Sequence, residues 1–390
     1  MKFRFNRDML ILQILWIAGY LNIQYLDYSV KENIRMFVAL GCGLYLVSKS
    51  VEKKDLFRFL CFPAAIIITS AYNCIPKNLV RFRQGTVFAL LIFELLCMIK
   101  MVGKQMQLKY IARSLLKTSI IYLIPTVISV FILGNNISNA EGVYFIGTKF
   151  SVAYFFIIVI CLLGLSEEEK KASSWSFGLP FWVFVIIGVG VALYMKAYTG
   201  TIMMLFVATL TIVNKYFIIH KSKDIGILTI LRRPFIASAS IIISGGFIYF
   251  AQSLLQNPKI YEIIDSWNKT GTMQSRLLIY ENLLKIIGQR MFWGYGHGSM
   301  IVSEYYGVNP QNGLARIIIY YGLLGAVAFI YLVFSCINRG KVHDAKSDLI
   351  LFCIYSFVLA STVEVCYSYQ IFILLAFYIV RCEQNEAQLV

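Results

Sequence analysis

Long apolar runs alternate with short polar connections over almost the whole chain. The apolar runs occupy residues 9–26, 34–48, 59–75, 85–99, 118–134, 150–165, 175–195, 200–219, 235–255, 313–337, 349–365 and 367–380. About 20 apolar residues wound as an α-helix cross the hydrocarbon of a bilayer, and a helix satisfies its own backbone there. The pattern predicts an all-α polytopic membrane protein with about twelve transmembrane helices. Several runs fall short of the ideal length, and no repeat of fixed period is visible. The longest polar interruption, residues 256–312, reads as one large loop between the ninth and tenth spans.

Composition agrees with this pattern. With 59% hydrophobic residues in 390, the chain reads as a single transmembrane unit, 1–390, with no room for a large soluble domain. The first segment has the charged start of a signal peptide but no small-x-small cleavage site, so it reads as a retained span. The nine cysteines fall mostly inside apolar runs, without a C-x-x-C, and read as small buried apolar side chains.

The net charge of +16 would suit a nucleic-acid partner, but most of the basic residues lie in short connections between spans, where Lys and Arg set topology. No nucleic-acid partner is expected. With Lys2, Arg4 and Arg7 inside, the inner connections hold basic clusters at 49–58, 100–117, 170–171, 221–233 and 339–346. Both termini are then cytoplasmic and loop 256–312 lies outside. The outer cations, among them Arg81, Arg83, Lys196, Lys259, Lys269, Arg276, Lys285, Arg290 and Arg316, are not explained by that rule. They point to an anionic substrate at the outer face.

Within the loop, Ser275 to Gln289 has helical periodicity. Tyr280, Leu283, Leu284, Ile286 and Ile287 form one face with Leu277 and Ile279, while Glu281, Asn282, Lys285 and Gln289 form the other; Leu278 breaks the pattern. Such a helix lies on the membrane or packs over the bundle. Arg276 falls in the middle of the apolar face. Two readings stay open: it snorkels from the first turn, or it points its fork inward at a phosphate. Trp293 to Ser299, WGYGHGS, follows with three alternating glycines that permit a tight turn, and no strand–helix unit makes it a dinucleotide site. His297 is the only outer imidazole; His220 and His343 flank inner helix ends and read as structural. The histidines are dispersed, there is no D-x-D, and Asp27 and Asp265 lie in different outer loops. No metal and no cofactor are therefore expected.

Taken together, SRLLIYENLLKIIGQRMFWGYGHGSM and NPQNGLARIIIYYGLLG resemble the signature region of the O-antigen ligase / Wzy-type polysaccharide polymerase family. The shared pattern is an Arg opening an amphipathic segment, a Gly-x-Gly turn, and an Asn-containing pair leading into a span with Gly322 and Gly325. KAYTGTIMMLFVATL, Lys196 to Leu210, is similar to the family's motif at the span preceding the ninth. The resemblance implies a GT-C-like fold in the bacterial cytoplasmic (inner) membrane. It implies an oligosaccharide repeat unit on undecaprenyl diphosphate as substrate, metal-independent inverting transfer, and membrane lipid, a flippase and a chain-length regulator as partners.

On that resemblance, Arg276 and Arg290 meet the leaving diphosphate, assisted by Arg81 and Arg83. His297, Glu281 and Glu304 are candidates for orienting or deprotonating the acceptor hydroxyl. Lys196, Thr199, Tyr280, Gln311, Asn312 and Arg316 would line the substrate site. Two departures matter. Gln311-Asn312 stands where His-Asn is common, and Gln311 cannot act as a base; Lys196 and Thr199 stand where Arg and Ser are usual. The glutamine favours a polymerase over a ligase. A lipid-linked oligosaccharide flippase is the alternative from another class, with Glu94 as the one deep ionisable candidate, while Glu364 lies near an outer end; one long outer loop with a turn motif argues against transport. The signature residues of the cell-wall glycan polymerases are not found.

Overall fold

The computed structural model describes all residues except 1–5, 21–22, 24, 50–51, 75–78, 134–143, 169–176, 222–225, 256, 267–269, 307–308, 341 and 390. Within helices, the side chains of 20, 216–221, 226–227, 252–255, 260–261, 263–264, 270–275, 277 and 389 are also outside the description. Lys2, Arg4, Lys170, Lys171, Lys269 and the side chains of His220 and Leu277 therefore lie outside it.

The described residues are helical, with no strand among them beyond a lone bridge between Tyr144 and Gly147. Each predicted apolar run has one helix as its described core: α1 (Arg7–Tyr20), α2 (Tyr28–Val47), α3 (Lys53–Tyr72), α4 (Leu79–Gln105), α5 (Leu108–Leu133), α6 (Lys149–Ser166), α7 (Leu179–Tyr194), α8 (Tyr198–Lys221), α10 (Pro234–Leu255), α14 (Gly313–Ile337), α15 (Ala345–Ala360) and α16 (Tyr369–Leu389). Four further helices lie in the connections: α9 (Gly226–Leu231), α11 (Pro258–Ser266) and α13 (Ile301–Tyr306) are short and unpredicted, and the 20-residue α12 (Thr270–Gln289) contains the predicted Ser275–Gln289 helix. Among the described residues, six helices, α3, α4, α5, α6, α10 and α14, are long and apolar enough to cross a membrane.

Apolarity decides where each helix sits. α6 is buried without interruption from Val152 to Leu165, and α16 is buried from Ile371 to Val380; both are apolar on every side. α5 instead leaves Ile121, Ile124, Ile128, Phe131 and Ile132 exposed along one stripe, and α2 leaves Phe37, Leu40, Leu44 and Val47. Stripes of that kind are stable only where lipid covers them. Pro63 and Pro125 lie inside α3 and α5, where packed neighbours tolerate the lost hydrogen bond.

Charge pairs fasten one end of the bundle. Asp55 opens α3 and faces Arg58, Lys100 and Arg339, while Arg232 grips Asp348 through two bonds at 3.0 and 2.9 Å. Asp344 accepts from Arg381 and Asn385 there, and despite its burial these bonds hold its carboxyl down at about 2. The opposite end, with the C-terminus of α3 and the N-termini of α4 and α14, carries the glycine turn.

Candidate functional site

The predicted amphipathic helix exists as α12 and packs over the bundle. Ile279, Tyr280, Leu283 and Ile286 are buried against Ile248 and Ala251 of α10, Val302 of α13, and Ala315 and Ile319 of α14. Glu281, Lys285 and Gln289 face out, as does the pattern-breaking Leu278.

After α12 the chain turns through Gly294, Gly296 and Gly298, all with positive φ. The turn is inserted into a break in α14. Gly322 has φ 64 and ψ −167, so the helical ladder stops there. Tyr295 N–H donates to Ile319 O at 2.7 Å and Gly296 N–H to Tyr320 O at 2.9 Å. In return, Leu323 N–H donates to Met291 O at 2.8 Å. Backbone groups freed by the break are thus paired with the loop, as buried backbone requires. Gly294 and Gly322 face each other where the two backbones cross.

This interlock positions His297. Its ring packs against Phe88, Tyr320 and Tyr321, and its Nδ1 shares a 2.5 Å hydrogen bond with the Tyr321 hydroxyl. Burial, with Arg316 acting in the same direction, pushes its pKa down to about 3. The expectation of a histidine base poised near neutrality is therefore corrected. His297 is neutral across the physiological range, and its conjugate acid is too strong for efficient proton abstraction.

A second group forms where α12, α14 and the α15–α16 turn meet. Arg276 points inward, not out by snorkelling, but what it meets is Glu364: Nη2 donates to Oε1 at 3.0 Å. Tyr280 O–H donates to Gln311 O at 2.9 Å, fixing Gln311 at φ 52, and burial raises the phenol to about 12 so that it stays a neutral donor. Asn312 is fully buried. Its Oδ1 accepts from Ala315 N–H at 3.0 Å as the N-cap of α14, and its Nδ2 donates to Ser244 O and Thr362 O. Every polar side-chain atom of Asn312 is engaged, so it holds the site together and has nothing left for substrate.

Arg316 lies one turn into α14, its guanidinium over the Tyr320 ring at 5.1 Å. Among the described residues it has no carboxylate partner. It acts electrostatically on His297, Tyr154 and Cys366; Arg276 and Glu364 also act on Tyr154, which brings these groups into one neighbourhood. Lys149, at the start of α6, acts on Glu364.

The other candidates lie around this centre. Arg290 is exposed, donates to Asn73 Oδ1 at 2.8 Å and covers the Tyr295 ring, which pins the loop to the end of α3. Trp293 stacks on Tyr72 beside it. Arg81 stands one turn before Gly85, whose face meets Ser70 and His297, while Arg83 is exposed. Glu304 on α13 and Glu281 on α12 are exposed, directed away from the buried group. Lys196 is an exposed turn residue at φ 55 between α7 and α8, followed by half-buried Thr199; no described contact joins them to Arg276 or Arg316. Among the described residues no group of three or more His, Cys, Asp or Glu could hold a metal ion.

Comparison of the chain with protein-family models, curated proteins and solved structures finds no match. The functional reading therefore rests on the residues themselves. Sequence reasoning passed over Glu364 as a site residue and gave Lys149 no role. An ionisable residue at the end of an apolar run was the available signal for Glu364.

Proposed function

We propose that the chain polymerises undecaprenyl-diphosphate-linked oligosaccharide repeat units into a surface polysaccharide. The reaction is metal-independent inverting glycosyl transfer at the outer face of a bacterial cytoplasmic membrane. The observation that carries this reading is Arg316, a half-buried guanidinium at the mouth of an apolar bundle with no described carboxylate to neutralise it. Such a charge is stable where an anionic headgroup completes it. Arg276 and Lys149 bring positive charge to the carboxylate of Glu364. A diphosphate leaving group gains charge in the transition state, and fixed cations in a partly dry site stabilise it. The α12 roof and the broken α14 hold these groups rigid, as positioning requires.

The reading includes about twelve crossings with both termini in the cytoplasm, which the Lys/Arg asymmetry supports. A cysteine at exposed Tyr305, with Cys61 and Cys74 replaced by serine, is expected to react with an impermeant thiol reagent added to intact cells. Labelling only after lysis would invert the orientation.

Two other readings remain as outcomes of the same functional test. A ligase would transfer the finished glycan to another acceptor. A flippase reading is favoured by Glu94, a fully buried carboxyl in α4 with no hydrogen-bond partner for either oxygen. Cells lacking the protein are expected to accumulate single repeat units in place of long chains. Long unattached chains would indicate a ligase. Purified protein in vesicles that moves the lipid-linked unit across the bilayer without extending it would indicate transport.

A further inference from the structure

We propose that Glu364 is the general base that takes the proton of the acceptor hydroxyl, held in place by Arg276; this rests on the polymerase reading. The support comes first from how Glu364 is mounted. Its N–H donates to Ala360 O at 2.9 Å, so the turn continues the last coil of α15. The preceding residues are tied to the N-terminus of α14. Gly313 N–H donates to Ser361 O at 2.8 Å and Asn312 Nδ2 to Thr362 O at 3.2 Å. Ser361 is further bonded to Ser244 and Tyr367. Glu364 and Arg316 thus sit on one hydrogen-bonded knot, which fixes a base relative to a leaving-group cation.

The carboxylate is also incompletely used. Its Oε1 accepts from Arg276 alone, and no described group bonds Oε2. Two carboxylates that fasten helices at the other end, Asp348 and Asp344, are filled on both oxygens. Asp348 takes Arg232 through Nε and Nη2 and also Asn214, and Asp344 takes Arg381, Asn385 and Ser347 N–H. Oε2 is not one of the enclosed side-chain atoms that lack a partner, so on a residue 5% exposed it keeps an edge that a further donor can reach. A sugar hydroxyl is such a donor.

The surrounding charges tune it. Arg276 and Tyr280 face it from α12, Lys149 and Tyr154 from α6, Arg316 lies nearby on α14, and Cys366 on its own turn. Burial raises Glu364, Arg276 and Lys149 pull it back, and the balance stands at about 7, which suits proton transfer near neutrality. His297, held neutral near 3 and bonded to Tyr321, is not a competitor, and exposed Glu281 and Glu304 have ordinary solvent contact.

The step balances. The acceptor hydroxyl gives its proton to Oε2 while its oxygen attacks the anomeric carbon of the lipid-linked chain. The bond from that carbon to the diphosphate breaks, and its electron pair leaves with the lipid diphosphate. Glu364 then returns the proton to water.

Chain extension by purified protein in lipid nanodiscs, followed across pH with a lipid-linked repeat unit, tests the assignment. The wild-type rate is expected to rise with a midpoint near 7 and level off, because only the ionised form accepts a proton. Glu364→Gln still accepts from Arg276, so it is expected to fold, lose about 100-fold or more in rate and lose that limb. His297→Gln is expected to keep the limb. If Glu364→Gln fails to accumulate, Glu364→Asp decides: a limb with a moved midpoint supports the assignment, and an unmoved midpoint overturns it. Retained rate and profile in Glu364→Gln overturn Glu364 alone. A wild-type protein that makes no chains at any pH overturns the polymerase reading, and this assignment with it.

Discussion

Gly322→Ala is expected to prevent accumulation of folded protein. A Cβ at this position would stand 2.0 Å from Phe292 O, 2.2 Å from Phe292 C and 2.6 Å from Trp293 N. All three are backbone atoms, so no rotamer change relieves the contact. The conformation itself, φ 64 and ψ −167, belongs to a region used essentially by glycine alone and costs other residues about 1–3 kcal/mol. Moving the loop away breaks the bonds from Tyr295 to Ile319, from Gly296 to Tyr320 and from Leu323 to Met291. Each buried backbone group left unpaired costs about 1–3 kcal/mol. Together these exceed about 5 kcal/mol, comparable to the whole stability of many domains. Gly288→Ala is the control, since nothing lies within 4 Å of a Cβ there. Size-exclusion profile and thermal melting of the two variants give the answer. A Gly322→Ala protein that melts within a few degrees of wild type would mean that the interlock contributes little.

The parts of this fold that could be read from the chain are those set by local pattern. α6 and the 371–380 stretch of α16 are apolar all round and buried. α12 declares itself by the spacing of Tyr280, Leu283 and Ile287, and even its exception, Leu278, is the residue left exposed. The short helices α9, α11 and α13 were missed because six to nine residues in polar connections carry too few turns to show a period. The glycine turn was legible as a turn, but its partner was not. Gly322 stands in an apolar run that reads as one continuous span, and only the tertiary crossing reveals that the span breaks there to receive residues 291–296. Arg276 and Glu364 tell the same story. They are 88 positions apart, so each appeared as an isolated charge in an apolar setting. Asn312 shows a signal that was present but read otherwise: an Asn directly before an apolar run is an N-cap, and that is the role its side chain fills.

Arg316→Ala is expected to lower kcat/KM for the lipid-linked donor by about 100- to 1000-fold while the protein stays folded. The cations of this end differ in what already neutralises or occupies them. Arg276 donates to Glu364, so part of its charge is committed. Arg290 is exposed and bonded to Asn73, so its removal chiefly loosens the loop. Arg83 is exposed at the rim, where screening by salt leaves little per charge, and its loss is expected to raise KM modestly and weaken the salt dependence. Arg316 is half-buried, anchored over Tyr320, and without a described carboxylate. A charge so placed does its work on whatever anion enters. Arg316→Lys keeps the charge but loses the planar fork, and is expected to recover only part of the rate. Single-turnover extension with saturating donor separates binding from the transfer step. A fall in the transfer rate at saturation identifies stabilisation of the leaving diphosphate, and a fall confined to KM identifies docking of the ground-state headgroup. Wild-type extension by Arg316→Ala, alongside an inactive and well-folded Arg290→Ala, would move the reaction centre from the α14 mouth to the outer side of the glycine turn.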